Sequence, residues 1–368
     1  MKLKSVKLAP VLIAAFTITL ACLLQSPFFN NRFDFLQQLE WKTYDQRVRL
    51  AQKFPRPCAT NLAFVQIDEV TLKTLSGLTW PFPRQIHGKL VRDLAAQGAK
   101  SVGFDVLFPD LRGLDSPVLL QDNSIVESDD FFAQQVRLAG HVILAVEPDT
   151  TGRSTSPDEQ AARRSQLVFP PPLFATNAMA LGAITATSES DGVLRRVKPF
   201  TDDPEHGRIW HMGILLAAEE LGLDLSKPVL ESGRLILNGP NGVQRIIPVD
   251  NEGFFCIEWS MPPDDRRLTR LSYGMIILLD ELRQSGKPDE YRQALEIFRR
   301  ESGNTNLVGD APFRGKLVVV GSKLVGNNVT DRGATPINNH DFLVSKHWNV
   351  ANSVITNQFI RRTPPWFD

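Results

Sequence analysis

Short apolar runs alternate with segments of helical periodicity through most of this chain. Residues 62–67 and 101–107 form two of these runs, and apolar side chains recur at helical spacing over residues 85–97 between them. Gly98 stands where a helix often ends in a left-handed residue. The pattern predicts a strand, a helix and a second strand, joined as a right-handed βαβ unit whose strands are parallel neighbours.

The same criteria predict elements along the rest of the chain. Further apolar runs, typical of buried strands, lie at residues 141–146, 181–187 and 316–321. Helical spacing of apolar side chains predicts helices at residues 34–52, 210–221, 273–284, 288–301 and 346–361. Turn signals between short strands lie at Ser232-Gly233 and Asn241-Gly242. The predicted fold is α/β, a mixed and largely parallel sheet with flanking helices, preceded by an N-terminal membrane helix.

The N-terminal segment predicts a membrane anchor. Residues 8–24 contain no charged side chain, and Lys2, Lys4 and Lys7 precede them. Under the positive-inside rule the N-terminus stays in the cytoplasm and everything after the anchor lies outside. The run is shorter than the roughly 20 apolar residues that usually cross a bilayer. We interpret it as a retained anchor; the alternatives are a cleaved signal peptide and a form lipidated at Cys22.

These segments suggest one large domain outside the membrane. We expect a cytoplasmic N-terminus at residues 1–7, a folded domain over residues 33–361 and a tail at residues 362–368. Residues 148–166 are rich in polar and charged side chains and are interpreted as an exposed insertion in that domain. The helix at residues 34–52 has one apolar face, which either carries a signal to the membrane or packs on the sheet.

Composition and charge exclude one class of partner. The 368 residues are 42% hydrophobic, enough for a substantial core. The 41 basic and 41 acidic residues cancel, and no basic stripe with interleaved aromatic side chains is present, so nucleic acid is not an expected partner. Outside the predicted anchor only Cys58 and Cys256 remain. An oxidising compartment would permit them to pair, and no nearby histidine cluster suggests zinc.

Acidic side chains follow both strands of the βαβ unit. Asp68 and Glu69 follow the first strand, and Asp105 lies near the end of the second. The carboxyl ends of parallel strands meet at one edge of a sheet, where open α/β folds bind ligands, so we expect these acids to lie together. Such a group either binds a ligand, holds a divalent cation or performs acid/base chemistry, and the spacing does not decide among these.

The loop before the predicted helix adds basic and aromatic groups. Residues 80–84 read Trp-Pro-Phe-Pro-Arg, a rigid segment that brings Trp80, Arg84 and His87 to a helix N-terminus suited to anions. The structural alternative is that Trp80 fills the core and Arg84 neutralises a buried Asp68 or Asp105.

The strand at residues 316–321 would add to the same edge of the sheet. If it is parallel to the others, Ser322 and Asp331 join the crevice. The chain contains no Gly-x-Ser-x-Gly elbow, His-Glu-x-x-His pair or phosphate-binding loop. We therefore predict no catalytic residue, metal ligand or cofactor. A metal-dependent enzyme that uses the acidic group is the alternative.

Six motifs, taken in order, resemble those of one known family. They are Glu40 with Tyr44-Asp45, Ile67-Asp68-Glu69, WPFPR at residues 80–84, GAKSVGFD at 98–105, DGVLRR at 191–196 and GKLVVVG at 315–321. Together they resemble the CHASE2 family over about residues 35–359. The resemblance implies an extracytoplasmic sensory module of bacterial signalling receptors, typically followed by transmembrane helices and a cyclase or kinase domain. Here the sequence stops at Asp368 before any such output domain, and residues 346–352 depart from the family pattern.

The sequence as a whole predicts a sensor of an unknown small ligand. We expect a single-pass inner-membrane protein, held by its N-terminal helix, with the main domain in the periplasm or outside the cell. A homodimer and a separately encoded cyclase or kinase are the expected partners, and a truncated receptor that acts through interaction alone is the alternative. The predicted ligand-binding residues are Asp68, Glu69, Trp80, Arg84, His87, Asp105, Ser322 and Asp331.

Overall fold

The computed structural model describes residues 8–24, 34–120, 122–148, 166–302, 309–325 and 331–361. The predicted cytoplasmic N-terminus, nearly all of the predicted insertion and the C-terminal tail therefore lie outside the described residues. The chain divides into two compact units, residues 1–54 and residues 55–368.

The first unit contains two helices. These are α1 (Leu8–Leu24) and α2 (Asp34–Ala51), which match the predicted helical segments to within one residue. Among the helices that the structure describes, none combines the length and the apolar character that crossing a membrane requires.

The second unit combines helices with short strands. Its helices are α3 (Glu69–Thr74), α4 (Arg84–Gln97), α5 (Ser128–Ala139), α6 (Pro172–Ala175), α7 (Met212–Leu221), α8 (Tyr273–Gln284), α9 (Pro288–Ser302) and α10 (Ser345–Thr356). Its strands up to Trp210 are β1 (Leu62–Ile67), β2 (Ser101–Phe104), β3 (Val118–Leu119), β4 (Ile125–Val126), β5 (Val142–Pro148), β6 (Leu167–Val168), β7 (Ala180–Ala183), β8 (Arg196–Val197), β9 (Phe200–Asp203) and β10 (Gly207–Trp210). The later strands are β11 (Val229–Glu231), β12 (Arg234–Asn238), β13 (Gln244–Pro248), β14 (Phe255–Cys256), β15 (Thr269–Ser272), β16 (Leu317–Ser322), β17 (Arg332–Gly333) and β18 (Asp341–Phe342).

The central sheet is largely parallel, as predicted. Within the described residues it has seven strands, six of which run parallel in the order β15-β1-β16-β2-β5-β7, while β6 pairs antiparallel with the end of β5. The prediction that β1 and β2 are neighbours is wrong, because β16 lies between them and pairs with both. The carboxyl ends of β1 and β2 still face the same edge, since all three strands are parallel.

Helices cover both faces of the sheet. Side chains of β1, β2, β5 and β16 form one large core with α4, α5, α8 and α9. On the opposite face Phe64 of β1 packs on Trp348 of α10, with ring centroids 4.8 Å apart, and Met212 of α7 contacts β2 at Gly103. Strand side chains alternate between faces, and burial on both sides explains the continuous apolar runs of the sequence.

Helix ends and turns follow local chemistry. Gly98, with φ +82°, caps α4 where the sequence predicted the cap, whereas α10 ends at Thr356, five residues before the predicted end, and is capped by Asn357, with φ +56°. The turn between β11 and β12 uses Gly233, with φ +77°. No disulfide joins Cys58 to Cys256.

Candidate functional site

A cavity of about 650 Å³ opens at the carboxyl edge of the central sheet. The carboxyl ends of β1, β5 and β16 and the segment that follows β2 contribute to its wall, as the geometry of parallel α/β sheets leads us to expect. The predicted site residues that line it are Trp80, Arg84, His87, Asp105, Ser322 and Asp331. Its polar wall also contains Asp110, Arg112, Glu147 and Lys346, which the sequence prediction did not include.

Asp68 and Glu69 do not line this cavity, although the sequence placed them there. Asp68 is the N-cap of α3, where its carboxylate accepts from the Thr71 amide at 2.9 Å and from the Ser272 hydroxyl at 2.7 Å. Glu69 is exposed in the first turn of α3. An aspartate after a strand serves equally well as a ligand group or as a helix cap, and here the carboxylate accepts the hydrogen bond that caps α3.

Asp105 is held between two basic side chains of α10. Its carboxylate lies 3.7 Å from the Lys346 ammonium and 3.3 Å from the Nε2 atom of His347. Burial alone would raise the pKa of Asp105, but Lys346 and His347 outweigh it and lower that pKa to about 2. Burial and the Lys346 charge lower the pKa of His347 to about 4, so this imidazole is neutral near pH 7.

Two further carboxylates face the same lysine. Burial raises the pKa of Glu147 to about 6, and Lys346 opposes this while Asp105 and Asp331 add to it. Burial also raises the pKa of Asp331, which interacts with Lys346 and Asp105 in the same way. The segment after β2, the end of β5, the segment before β17 and the start of α10 thus bring Asp105, Glu147, Asp331 and Lys346 to one cavity, where Asp105 lies within 4 Å of the ammonium and the other two carboxylates interact with it electrostatically. We call these four residues the lysine–carboxylate cluster.

Lys346 is almost completely buried, at 2% exposure, yet its ammonium makes no hydrogen bond to the described residues. The 3.7 Å contact with Asp105 is an ion pair but is longer than a hydrogen bond. The carboxylates of Glu147 and Asp331 likewise have neither a hydrogen bond nor an ion pair with any part of the chain that the structure describes. Within the part of the chain that the structure describes, the cluster therefore leaves hydrogen-bond donors and acceptors in the cavity wall without a partner.

Arg84 and Arg112 are, in contrast, engaged by neighbouring groups. The Arg84 guanidinium donates to the carbonyl and to the carboxylate of Asp110, both at 3.0 Å, and lies 4.9 Å from the centre of the Phe108 ring. Arg84 therefore pairs with a carboxylate, as the structural alternative predicted. Its partner is Asp110, however, and neither Asp68 nor Asp105 pairs with it. Arg112 donates to the carbonyls of Pro81 and Phe82 and so supports the aromatic loop.

His87 forms the base of the cavity beneath this loop. It is wholly buried among aromatic rings, and its Nδ1 atom lies 2.9 Å from the hydroxyl of Tyr273. Burial, with Arg84 and Arg112 adding to it, lowers the pKa of His87 to about 3. Its Nε2 atom has no hydrogen-bond partner among the described residues. Trp80 lies edge-on to this imidazole and is half-buried against the core, so it both lines the cavity and packs.

Ser322 is a modest contributor to the site. It lies at the end of β16, and its hydroxyl oxygen accepts from the Leu324 amide at 3.2 Å. Its lone pairs are therefore partly used by the loop that follows the strand.

The described residues contain no group of three or more His, Cys, Asp or Glu side chains arranged to hold a metal ion. A signal for the missed Glu147 was present, because it directly follows the predicted strand at residues 141–146. Lys346 falls inside a helical pattern, where its spacing resembles that of any surface lysine, and only the fold shows that it is buried.

A comparison with known protein families confirms the resemblance that the motifs indicated. A family model described as the CHASE2 domain matches residues 14–368. No curated protein and no solved structure matches the chain. The family match spans almost the whole chain. The chain belongs to the CHASE2 family of extracytoplasmic sensory domains.

Proposed function

We propose that this chain is a membrane-anchored sensor that binds a small polar ligand in the cavity at the carboxyl edge of its sheet. The observation that carries the proposal is the lysine–carboxylate cluster, whose charges line about 650 Å³ of space and have hydrogen-bonding capacity that the described residues do not use. Charged groups that serve only the fold are normally paired and fully hydrogen-bonded. A cavity of this size lies in the range of small-molecule sites.

A thermal-shift screen of the full-length chain in detergent tests this function. A ligand of the native state raises the melting temperature, and at 100 times its dissociation constant it adds about 2.7 kcal/mol to the free energy of unfolding. The matched variants are Ala186→Trp, which places a large ring in the cavity wall, and Ala96→Trp, on the exposed side of α4.

We expect a metabolite or ion that shifts the wild type and the Ala96→Trp variant but not Ala186→Trp. If a broad metabolite and ion library shifts none of the three proteins, or shifts all three equally, the cavity is not the sensory site.

We further propose that residues 8–24 anchor the chain and that residues 33–361 act outside the cytoplasm. Support comes from the uncharged sequence of α1, the three lysines before it and the extracytoplasmic character of the family. An alkaline phosphatase fused after residue 361 is expected to be active, and a fusion that lacks residues 1–24 is expected to be inactive. Activity of both fusions, or of neither, would contradict this topology.

We also propose that the sensor works as a homodimer with a separate cyclase or kinase. A ligand shifts a conformational equilibrium only if it binds two states unequally, and a dimer offers such states through its helix pairs. Light scattering of the purified full-length chain, with and without a ligand from the screen, is expected to give twice the chain mass. A monomer at all concentrations would contradict the dimer.

A further inference from the structure

The lysine–carboxylate cluster carries an excess of negative charge. Asp105 lies 3.7 Å from the single ammonium of Lys346, Glu147 and Asp331 line the same cavity and interact electrostatically with that ammonium, and the adjacent imidazole of His347 is buried and neutral. The two arginines in the cavity wall do not offset this excess, because Arg84 and Arg112 lie within 4 Å of carboxylates of their own, Asp110 and Asp115 among them. A group that enters beside the cluster therefore meets carboxylates in excess of ammonium.

Glu147 and Asp331 have acceptor capacity that the described residues leave unused. Both carboxylates are partly buried, and a buried carboxylate without hydrogen bonds is unfavourable. An ammonium group satisfies both together, because it supplies three donors and a positive charge in a small volume. A metal ion is a poor substitute here, since the described residues lack a suitably arranged ligand set.

Lys346 provides a second, independent observation, which concerns hydrogen-bond donors instead of acceptors. It is 2% exposed and lines the cavity, and none of its three donors makes a hydrogen bond to the described chain. An oxygen acceptor on the ligand would supply that partner. A simple anion would satisfy Lys346 but face three carboxylates, whereas a simple amine would satisfy the carboxylates and leave Lys346 without an acceptor.

We propose that the cavity binds a small molecule with a primary ammonium group next to an oxygen acceptor, the arrangement found in an α-amino acid. The ammonium is bound by Glu147 and Asp331, and the neighbouring oxygen accepts from Lys346. The inference rests on the proposed function and gives the chemical class of the ligand. Apolar side chains of Ile67 and Ile184 in the same wall leave room for the rest of the molecule.

Calorimetric titration of the full-length chain in detergent tests the ligand class. The probes are the common L-amino acids and ethanolamine, followed by two analogues of the tightest binder, one without its ammonium group and one without its acceptor. A charge-assisted hydrogen-bond group is worth about 2–3 kcal/mol, which corresponds to a loss of roughly 30- to 150-fold in affinity for each analogue. The inference is supported if the parent compound binds and each of the two analogues loses affinity by this factor.

Paired variants connect this binding to the cluster. Glu147→Gln is expected to weaken the parent compound at least tenfold while leaving the analogue that lacks the ammonium nearly unchanged. Glu205→Gln, an exposed carboxylate that does not line the cavity, is the control and is expected to bind as the wild type does. The melting temperature of each variant shows that the fold is retained, and loss of the buried Glu147 charge is not expected to lower it.

The outcomes separate this inference from the proposed function. If the cavity binds only anions or only simple amines, or if Glu147→Gln binds as tightly as the control, the ligand class is wrong but a cavity sensor remains. If neither these probes nor any compound of the thermal-shift library binds, both are wrong.

Discussion

At the residue scale, buried histidines make the stability of this fold depend on pH. Burial lowers the pKa of His87 to about 3 and that of His347 to about 4. A base whose pKa is lower in the folded state contributes stability above its unfolded value, near 6.5, and that stability is lost as the pH falls toward the folded pKa. Each histidine adds a slope of about 1.4 kcal/mol per pH unit over this window.

The double variant His87→Phe/Tyr273→Phe tests this pH dependence. It removes both partners of one buried hydrogen bond, which leaves no unpaired polar atom from that bond. Between pH 6.5 and 4.5 we expect the unfolding free energy of the variant to fall less steeply than that of the wild type, by about 1.4 kcal/mol per pH unit. Urea denaturation at a series of pH values measures both slopes, and equal slopes would show that His87 is not neutral in the folded state.

Glu147 has the opposite effect on stability. Burial raises the folded pKa of Glu147 from 4.5 to about 6. The contribution of Glu147 to the unfolding free energy is therefore most favourable below pH 4.5 and is lost as the pH rises through 6. Glu147→Gln removes the charge, and we expect this variant to exceed the wild type by about 1–2 kcal/mol at pH 7.5 and to match it at pH 4.5. Denaturation of Glu205→Gln alongside is expected to show no such trend. A destabilised Glu147→Gln at pH 7.5 would mean that the carboxylate has a partner in the fold.

Cavity-lining residues could be predicted where their position at the end of a strand was sufficient evidence. Asp105 and Ser322 lie at strand ends and do line the cavity. Asp68 follows the same rule but caps a short helix, because the hydroxyls of Thr71 and Ser272 are within reach of its carboxylate. Sequence could not separate these two uses, since the Ser272 partner comes from β15, about 200 residues away.

At the element scale, α7 and α10 approach closely at a glycine. A Cβ atom built on Gly213 would collide with the carbonyl oxygen of His347 and lie 2.8 Å from the Cβ of Val350. We expect Gly213→Ala to lower the unfolding free energy by about 1–3 kcal/mol, because backbone on α10 would have to move. Gly77→Ala is the control, since a Cβ there meets open space. Thermal denaturation of both variants checks this, and equal melting temperatures would contradict it.

Elements with an unbroken pattern were predicted well. The apolar run of β16 and the helical spacing of α8 predicted the boundaries of these elements to within one residue. A strand buried on both faces is apolar throughout and a helix buried on one face has a periodic apolar stripe, so both patterns can be read from the local sequence. Strand β2 is shorter than predicted and ends at Phe104. Its last predicted residues leave the sheet to line the cavity, and no local signal distinguishes an apolar cavity wall from an apolar strand.

At the scale of the whole molecule, the strand order could not be read from local patterns. β16 comes from the last fifth of the chain and pairs with β1 on one side and with β2 on the other. Adjacent placement of β1 and β2 was the reasonable prediction, since consecutive parallel strands are usually neighbours. Which strands become neighbours depends on how the faces of the whole sheet pack against the helices, and the sequence of a single segment does not contain that information.

Truncation tests how far the sheet depends on β16. A chain that ends at Asp310 lacks the strand between β1 and β2, so their inner edges lose their backbone hydrogen bonds in the middle of the core. We expect this truncated chain to show no cooperative thermal unfolding by near-ultraviolet circular dichroism, whereas the full-length chain does. A cooperative transition in the truncated chain would show that β1 and β2 can pair directly.

The position of β16 also bears on how the protein is made. The sheet cannot be completed until the ribosome has synthesised β16, one of its innermost strands. Until then the edges of β1 and β2 that pair with β16 lack that partner strand. For a domain that acts outside the cytoplasm, this delay is useful, because a polypeptide that is still open can be threaded through a translocation pore. Order of synthesis and order of strands together would postpone final assembly until the chain has reached its destination.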